Sequence, residues 1–180
     1  MSIDCPSDCT HLVASRRYDE ERREVDWSKL PFPAIKISPS FAQEHLALLN
    51  ALSYAICQCA HENRAVVDSD VVAATQALAE TYRTLASGIY YENPPAYSVQ
   101  RGLYEALKAA LKDFREEETK HRGMSVTRDA DIRDALIFFT QLGATRTNGR
   151  PKGRAYLDLL RRQFKPGEFA KAPSKIVLLP

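Results

Sequence analysis

The chain is poor in the residues from which most recognisable catalytic motifs are built. Only seven of its 180 residues are glycine, and none stands in a phosphate-binding loop, a dinucleotide fingerprint or a nucleophile elbow; His-Glu-x-x-His is missing as well. Catalysis is left only to a site assembled from scattered residues, so an enzyme is the less favoured class. No apolar run approaches the roughly 18 to 20 residues that cross a bilayer, and the opening residues lack the apolar core of a signal peptide. These absences argue against a membrane protein and for a cytoplasmic location. In that reducing compartment the four cysteines, Cys5, Cys9, Cys57 and Cys59, are expected as buried thiols or metal ligands rather than disulfides.

What is present is an ordinary globular composition, with 44% hydrophobic and 27% charged residues. A chain of this length buries roughly 70% of its unfolded surface, enough for one core without a metal or bridge. The net charge of +2 hides an asymmetry. From Gly143 onward nine cations stand against two carboxylates, a net of +7, which leaves −5 for residues 1 to 142. A basic C-terminal part on an acidic protein suits either a polyanionic partner or docking within the chain.

Hydrophobic spacing predicts an all-α domain of five main helices, bundle-like, with extended ends. Residues 1 to 39 are expected to be irregular, because Pro31, Pro33 and Pro39 disfavour helix; "AIKIS" at 34 to 38 alternates as an edge strand would. Residues 40 to 165 carry the helices and residues 166 to 180 form an extended tail packed on them. Its "KIVLL" is the natural partner for a small two-stranded pairing of the ends. The first helix runs from Ser40 to about Asn63 with Cys59 on its apolar stripe. The second starts at Asp68 or Ser69 as cap, with Leu78, Tyr82, Leu85 and Ile89 on its stripe, and is stopped by "ENPPAYS". The third begins near Ser98 and ends in a solvated "REEETKHR". The fourth, from about Asp129, is apolar on more than one face and should lie centrally. The fifth opens at Pro151 after an Asn148-Gly149 stop. "DSDVV" and "DADIR" share an Asp-x-Asp start, which a common capping solution explains more simply than duplication.

Four constellations bear on function. Cys5 and Cys9 on a loop, with Cys57 and His61 one helical turn apart, make a possible zinc set; Cys5, Cys9 and His11 are a weaker basis for a thiol enzyme. Arg146, Arg150, Lys152, Arg154 and Arg161 form a basic corner between the fourth and fifth helices, suited to phosphates directly or as a helix-turn-helix. Within it "GRPKGR", Gly149 to Arg154, resembles the core of an AT-hook, with Asn148 where a basic residue is usual. That resemblance implies an extended segment in the minor groove of A·T-rich DNA. Tyr90, Tyr91 and Tyr97 are candidates for a partner surface. Glu80, Asp129 and Asp131 are paired carboxylates that capping and solvation explain without acid-base chemistry.

The favoured expectation is a non-catalytic binding or regulatory protein that self-associates or meets a protein partner through helix faces. Its motive is the apolar surplus of the fourth helix and of the tail. Nucleic-acid binding at the basic corner is the alternative, and a structural zinc site the second alternative.

Overall fold

Breakers and caps divide the chain into helices much as the hydrophobic spacing divides it. The structure, a computed structural model, describes residues 9–15 and 25–170. Among them α1 is seen over residues 10–15, followed by α2 (Phe41–Glu44), α3 (Leu46–Glu62), α4 (Asp68–Ala86), α5 (Ser98–Arg122), α6 (Asp129–Arg146) and α7 (Ala155–Arg161). Short 3-10 turns occupy Trp27–Lys29 and Glu168–Ala170. No helix of the described residues is long and apolar enough to cross a membrane. The chain is all-α, with no strand among the described residues.

The core forms along α4 and α6, which lie closest together; α5 packs beside α4, and α3 beside α5. Small residues on the two facing surfaces, among them Ala74, Thr75 and Ala79 on α4 and Ala135, Thr140 and Gly143 on α6, allow that approach. The Thr140 hydroxyl lies 2.9 Å from that of Thr75, which in turn donates to the Val71 carbonyl at 2.8 Å. The buried polar atoms of this seam are thereby satisfied within the two helices. A Cβ on Gly143 would stand 2.7 Å from both Tyr156 Cε1 and Val72 Cγ2, so this position admits only glycine without movement. Ile132, Leu136, Ile137 and Phe139 of α6 are buried, each contributing roughly 1.5–3 kcal/mol relative to exposure. These side chains are covered by neighbouring helices, in keeping with the central position expected from several apolar faces, and Phe138 and Leu142 are partly buried as well, so α6 leaves little apolar surplus to motivate a partner surface.

Several boundaries differ from expectation, each for a physical reason. Residues 10–15 are helical where an irregular segment was predicted. A break at His45 separates α2 from α3. α4 stops at Ala86, leaving Ile89 outside the helix and 63% exposed. The end of α5 is not wholly solvated: buried Glu118 accepts from the Thr127 N–H at 3.2 Å, the Thr127 hydroxyl at 2.8 Å and the Ser125 hydroxyl at 3.0 Å, fastening the following loop. α7 starts at Ala155, because Pro151 and Lys152 belong to a turn. Residues 35–38 have no regular structure, although Ile35 and Ile37 pack on the core. Their proposed strand partner in the C-terminal tail lies outside the described residues.

Candidate functional site

The basic corner is held together from inside by Asp68, a residue whose sequence context marks it as a cap for its own helix. The capping carboxylates are instead those three positions into each helix: Asp70 accepts the Val67 N–H at 3.1 Å, and Asp131 accepts the Arg128 N–H at 3.0 Å. Asp68 is turned inward, 1% exposed, and accepts the N–H groups of Tyr156 at 3.2 Å and Leu157 at 3.1 Å. It thus satisfies first-turn donors of α7, donors that no helix can pair internally. Its own N–H donates to the Gly153 carbonyl at 2.9 Å. Burial raises the Asp68 pKa, opposed by the bonds from Leu157 and Tyr156. Tyr156, whose pKa burial also raises, closes the joint by donating its hydroxyl to the Phe139 carbonyl at 2.9 Å.

Outside this joint lies the charge. Arg154 is committed to the fold: its guanidinium donates to the Arg64 carbonyl at 2.8 Å and the Ala60 carbonyl at 3.3 Å, neutralising the negative end of α3. Arg146, Arg150, Lys152 and Arg161 are exposed. Arg64, which sequence reasoning did not include, is exposed beside Arg154, and Arg162 and Lys165 follow beyond α7. Among the described residues none of these seven has a carboxylate within 4.0 Å of its charged nitrogens, whereas Arg83, Lys108, Lys112, Arg115, Lys120, Arg128 and Arg133 all do.

The Gly149 to Arg154 segment is folded rather than extended. Gly149 takes φ +71°, the Asn148 side chain accepts the Arg150 N–H at 3.1 Å, and the Gly153 N–H returns to the Arg150 carbonyl at 2.9 Å. This compact turn lacks the straight backbone that a minor-groove hook requires. α7, seven residues long with Tyr156 and Leu157 of its first turn buried and their N–H donors occupied, also offers no free recognition helix. What the corner presents is side-chain charge on a rigid support.

A second feature lies on the far side of α4. A groove of about 630 Å³ runs between α4 and α5, with Leu78, Tyr82, Leu85 and Leu111 along it and Lys108, Lys112, Arg115 and Lys120 beside them. The loop after α4 meets one end, where Lys108 Nζ is 2.6 Å from Glu92 Oε1 and the Tyr90 hydroxyl donates to the same carboxylate. Lys108, by hydrogen bonding, holds the Glu92 pKa below its ordinary value. Tyr90, Tyr91 and Tyr97 are 66%, 61% and 74% exposed, so they do not close the end of the helix packing.

Of the proposed zinc ligands, the described ones, Cys9, Cys57 and His61, do not gather into a metal-binding group. Cys57 is fully buried, and burial pushes its thiol up to about 12, away from the thiolate a metal needs. His61 is exposed and its ring lies 6.4 Å from that of Phe169. Cys9 is half-buried, and Cys5 lies outside the described residues. No group of three potential metal ligands occurs among the described residues. Cys59, expected in the core, is only partly buried. The exchange of roles between Cys57 and Cys59 follows from α7, which packs on α3 and extends its buried surface around the helix. The carboxylates Asp129 and Asp131 are engaged by Arg115 at 2.6 Å and by Arg128 at 2.8 Å, and Glu80 by Arg83 at 2.6 Å.

No protein-family model, curated protein or solved structure matches this chain.

Proposed function

We propose that the protein is a non-catalytic binding protein whose partner is a nucleic acid, gripped through its phosphates by the cations around the α6–α7 corner. One observation carries this proposal: Arg64, Arg146, Arg150, Lys152, Arg161 and Arg162 are exposed with no carboxylate in reach among the described residues, while most cations on the other helices are paired. Arginine predominates among them, and its planar fork suits phosphate oxygens better than a point charge does. With the Gly149 to Arg154 turn folded and the start of α7 occupied, recognition rests on backbone charge rather than base edges.

Fluorescence anisotropy with a duplex tests the proposal. A footprint of about six phosphates predicts ~10³-fold weaker binding between about 50 and 200 mM salt. Combined Arg146→Gln, Arg150→Gln and Lys152→Gln should lower the salt slope by about three. Affinity indifferent to salt, undiminished in this variant, or competed equally by polyglutamate would reject it. The alternative, a protein partner or a second copy of the chain, draws its support from the exposed Ile89, Tyr90, Tyr91 and Tyr97 rather than from α6. It predicts an associating species in light scattering that Tyr90→Ser with Tyr91→Ser disperses.

A further inference from the structure

Between α4 and α5 the chain reads Asn93-Pro94-Pro95-Ala96-Tyr97, a stretch that belongs to neither the basic corner nor the groove lining. It stands at the far end of α4 from Asp68, a rise of ~27 Å along that helix. Asn93 and Pro94 are each followed by proline, which drives them out of the helical region into extended or polyproline II backbone. Residues 89–95 accordingly have no regular structure, and the chain bends at Ala96 and Tyr97 to enter α5. Tyr97 has φ −73° and ψ 134°, close to polyproline II values of about −75° and +145°. Two contacts fix the stretch without covering it: Lys108 Nζ lies 2.6 Å from Glu92, and Arg101 Nε donates to the Pro95 carbonyl at 3.2 Å. Among the described residues no backbone N–H from Tyr90 to Tyr97 has a partner within the protein. Pro94 and Pro95 are half-buried, Ala96 is exposed, and Tyr97 is 74% exposed, the most of any large apolar side chain described. The Tyr97 ring and hydroxyl have no aromatic or hydrogen-bonding partner among the described residues.

We infer that Pro94-Pro95-Ala96-Tyr97 is a ligand for an aromatic-lined groove of the WW type on a partner protein. A solvated backbone free of internal hydrogen bonds is the form in which proline-rich segments enter such grooves. At three residues per turn, Pro94 and Tyr97 come to one edge of the segment; the proline ring stacks among the groove's aromatic side chains and the tyrosine ring enters the adjoining pocket. Sequence selects this reader of polyproline II over the SH3 type, because Pro-Pro-x-Tyr is present and the Pro-x-x-Pro spacing is not. The contacts at Glu92 and Pro95 leave little ordering to be done on binding. This site is independent of the nucleic-acid proposal, and its distance from Asp68 allows both partners at once.

Titration of the full chain into an isotopically labelled WW domain that reads Pro-Pro-x-Tyr, followed by NMR, tests the inference, with an SH3 domain as control. Saturable one-to-one binding is expected, at least tenfold tighter than to the SH3 domain. Tyr97→Ala and Pro94→Ala should each weaken it about tenfold, with helical circular dichroism unchanged, whereas Tyr91→Ala, outside the motif, should leave it unaltered. On the unsubstituted protein, the WW domain should shift the Tyr97 ring resonances, which keeps the test valid if a variant misfolds. Lack of saturable binding, equal affinity for the SH3 domain, or indifference to Tyr97→Ala would each overturn the inference. So would binding by a peptide of residues 90–100 that the full chain does not reproduce, or a Tyr97→Ala effect confined to self-association.

Discussion

α4 and α6 begin alike, with Asp-x-Asp followed by a β-branched residue, yet the first aspartate of each does opposite work. Both helices use the third-position carboxylate, Asp70 or Asp131, to hold the N–H just before the helix. Asp68 then points into the protein and anchors α7, whereas Asp129 points outward and pairs with Arg115 beside the groove. The same local motif thus supports the basic corner at one helix start and a wall of the groove at the other. Capping is a property of the segment; the task of the remaining carboxylate is set by what packs against it.

The largest break in this comparison should come from Asp68→Ala. Removing the buried acceptor strands the Tyr156 and Leu157 donors and is expected to cost about 2–3 kcal/mol in urea denaturation. Loss of less than ~0.5 kcal/mol would mean that α7 does not depend on it. Gly143→Ala attacks the same joint sterically, through Tyr156 and Val72. Overpacking there should cost about 2 kcal/mol, with the near-ultraviolet signal of the tyrosines altered.

The shared part of the motif predicts equal effects. Asp70→Ala and Asp131→Ala should each cost about 1 kcal/mol, and a clear inequality would show that the two caps are not equivalent. Asp129→Ala, at a pair whose side chains are 32% and 37% exposed, should cost only about 0.5 kcal/mol. Acid titration sharpens the contrast further. The Arg128 side chain and N–H lower the Asp131 pKa, so its contribution is present above the ordinary carboxylate value of 3.8 and is lost as pH falls through the lowered value. Burial raises the Asp68 pKa, so the fold holds that proton more tightly than the unfolded chain does. Stability should fall as pH rises from 3.8 through the raised value. Asp131→Asn should flatten the first slope and Asp68→Asn the second, with opposite signs in denaturation measured across acid pH.

Local signals in the sequence are sufficient to locate α3 to α7, although not α1 or the break after α2, and insufficient wherever a distant segment decides the outcome. The central position of α6 could be read from apolar residues on several faces, and Leu48, Leu52, Leu103, Leu107 and Leu111 from their spacing. Asp68 to Leu157 spans 89 positions and Arg154 to Ala60 spans 94; no periodicity carries such pairings. Arg154 was grouped with its charged neighbours because only packing reveals that it caps α3. Arg64 was missed because it stands alone in sequence and joins the corner only through the fold. The groove is composed of ordinary stripe residues and ordinary lysines, and becomes visible only when α4 and α5 are placed side by side.

The Asp68 cap also sets the order in which α7 opens to solvent. In an isolated helix of seven residues the first-turn amides would exchange fastest, since nothing inside the helix binds them. Here the Tyr156 and Leu157 amides donate to a carboxylate rooted in α4, so deuterium can reach them only when the two helices separate. Those two amides should be the slowest in α7, and their exchange rates a direct clock for the detachment of the segment that carries the corner's charge.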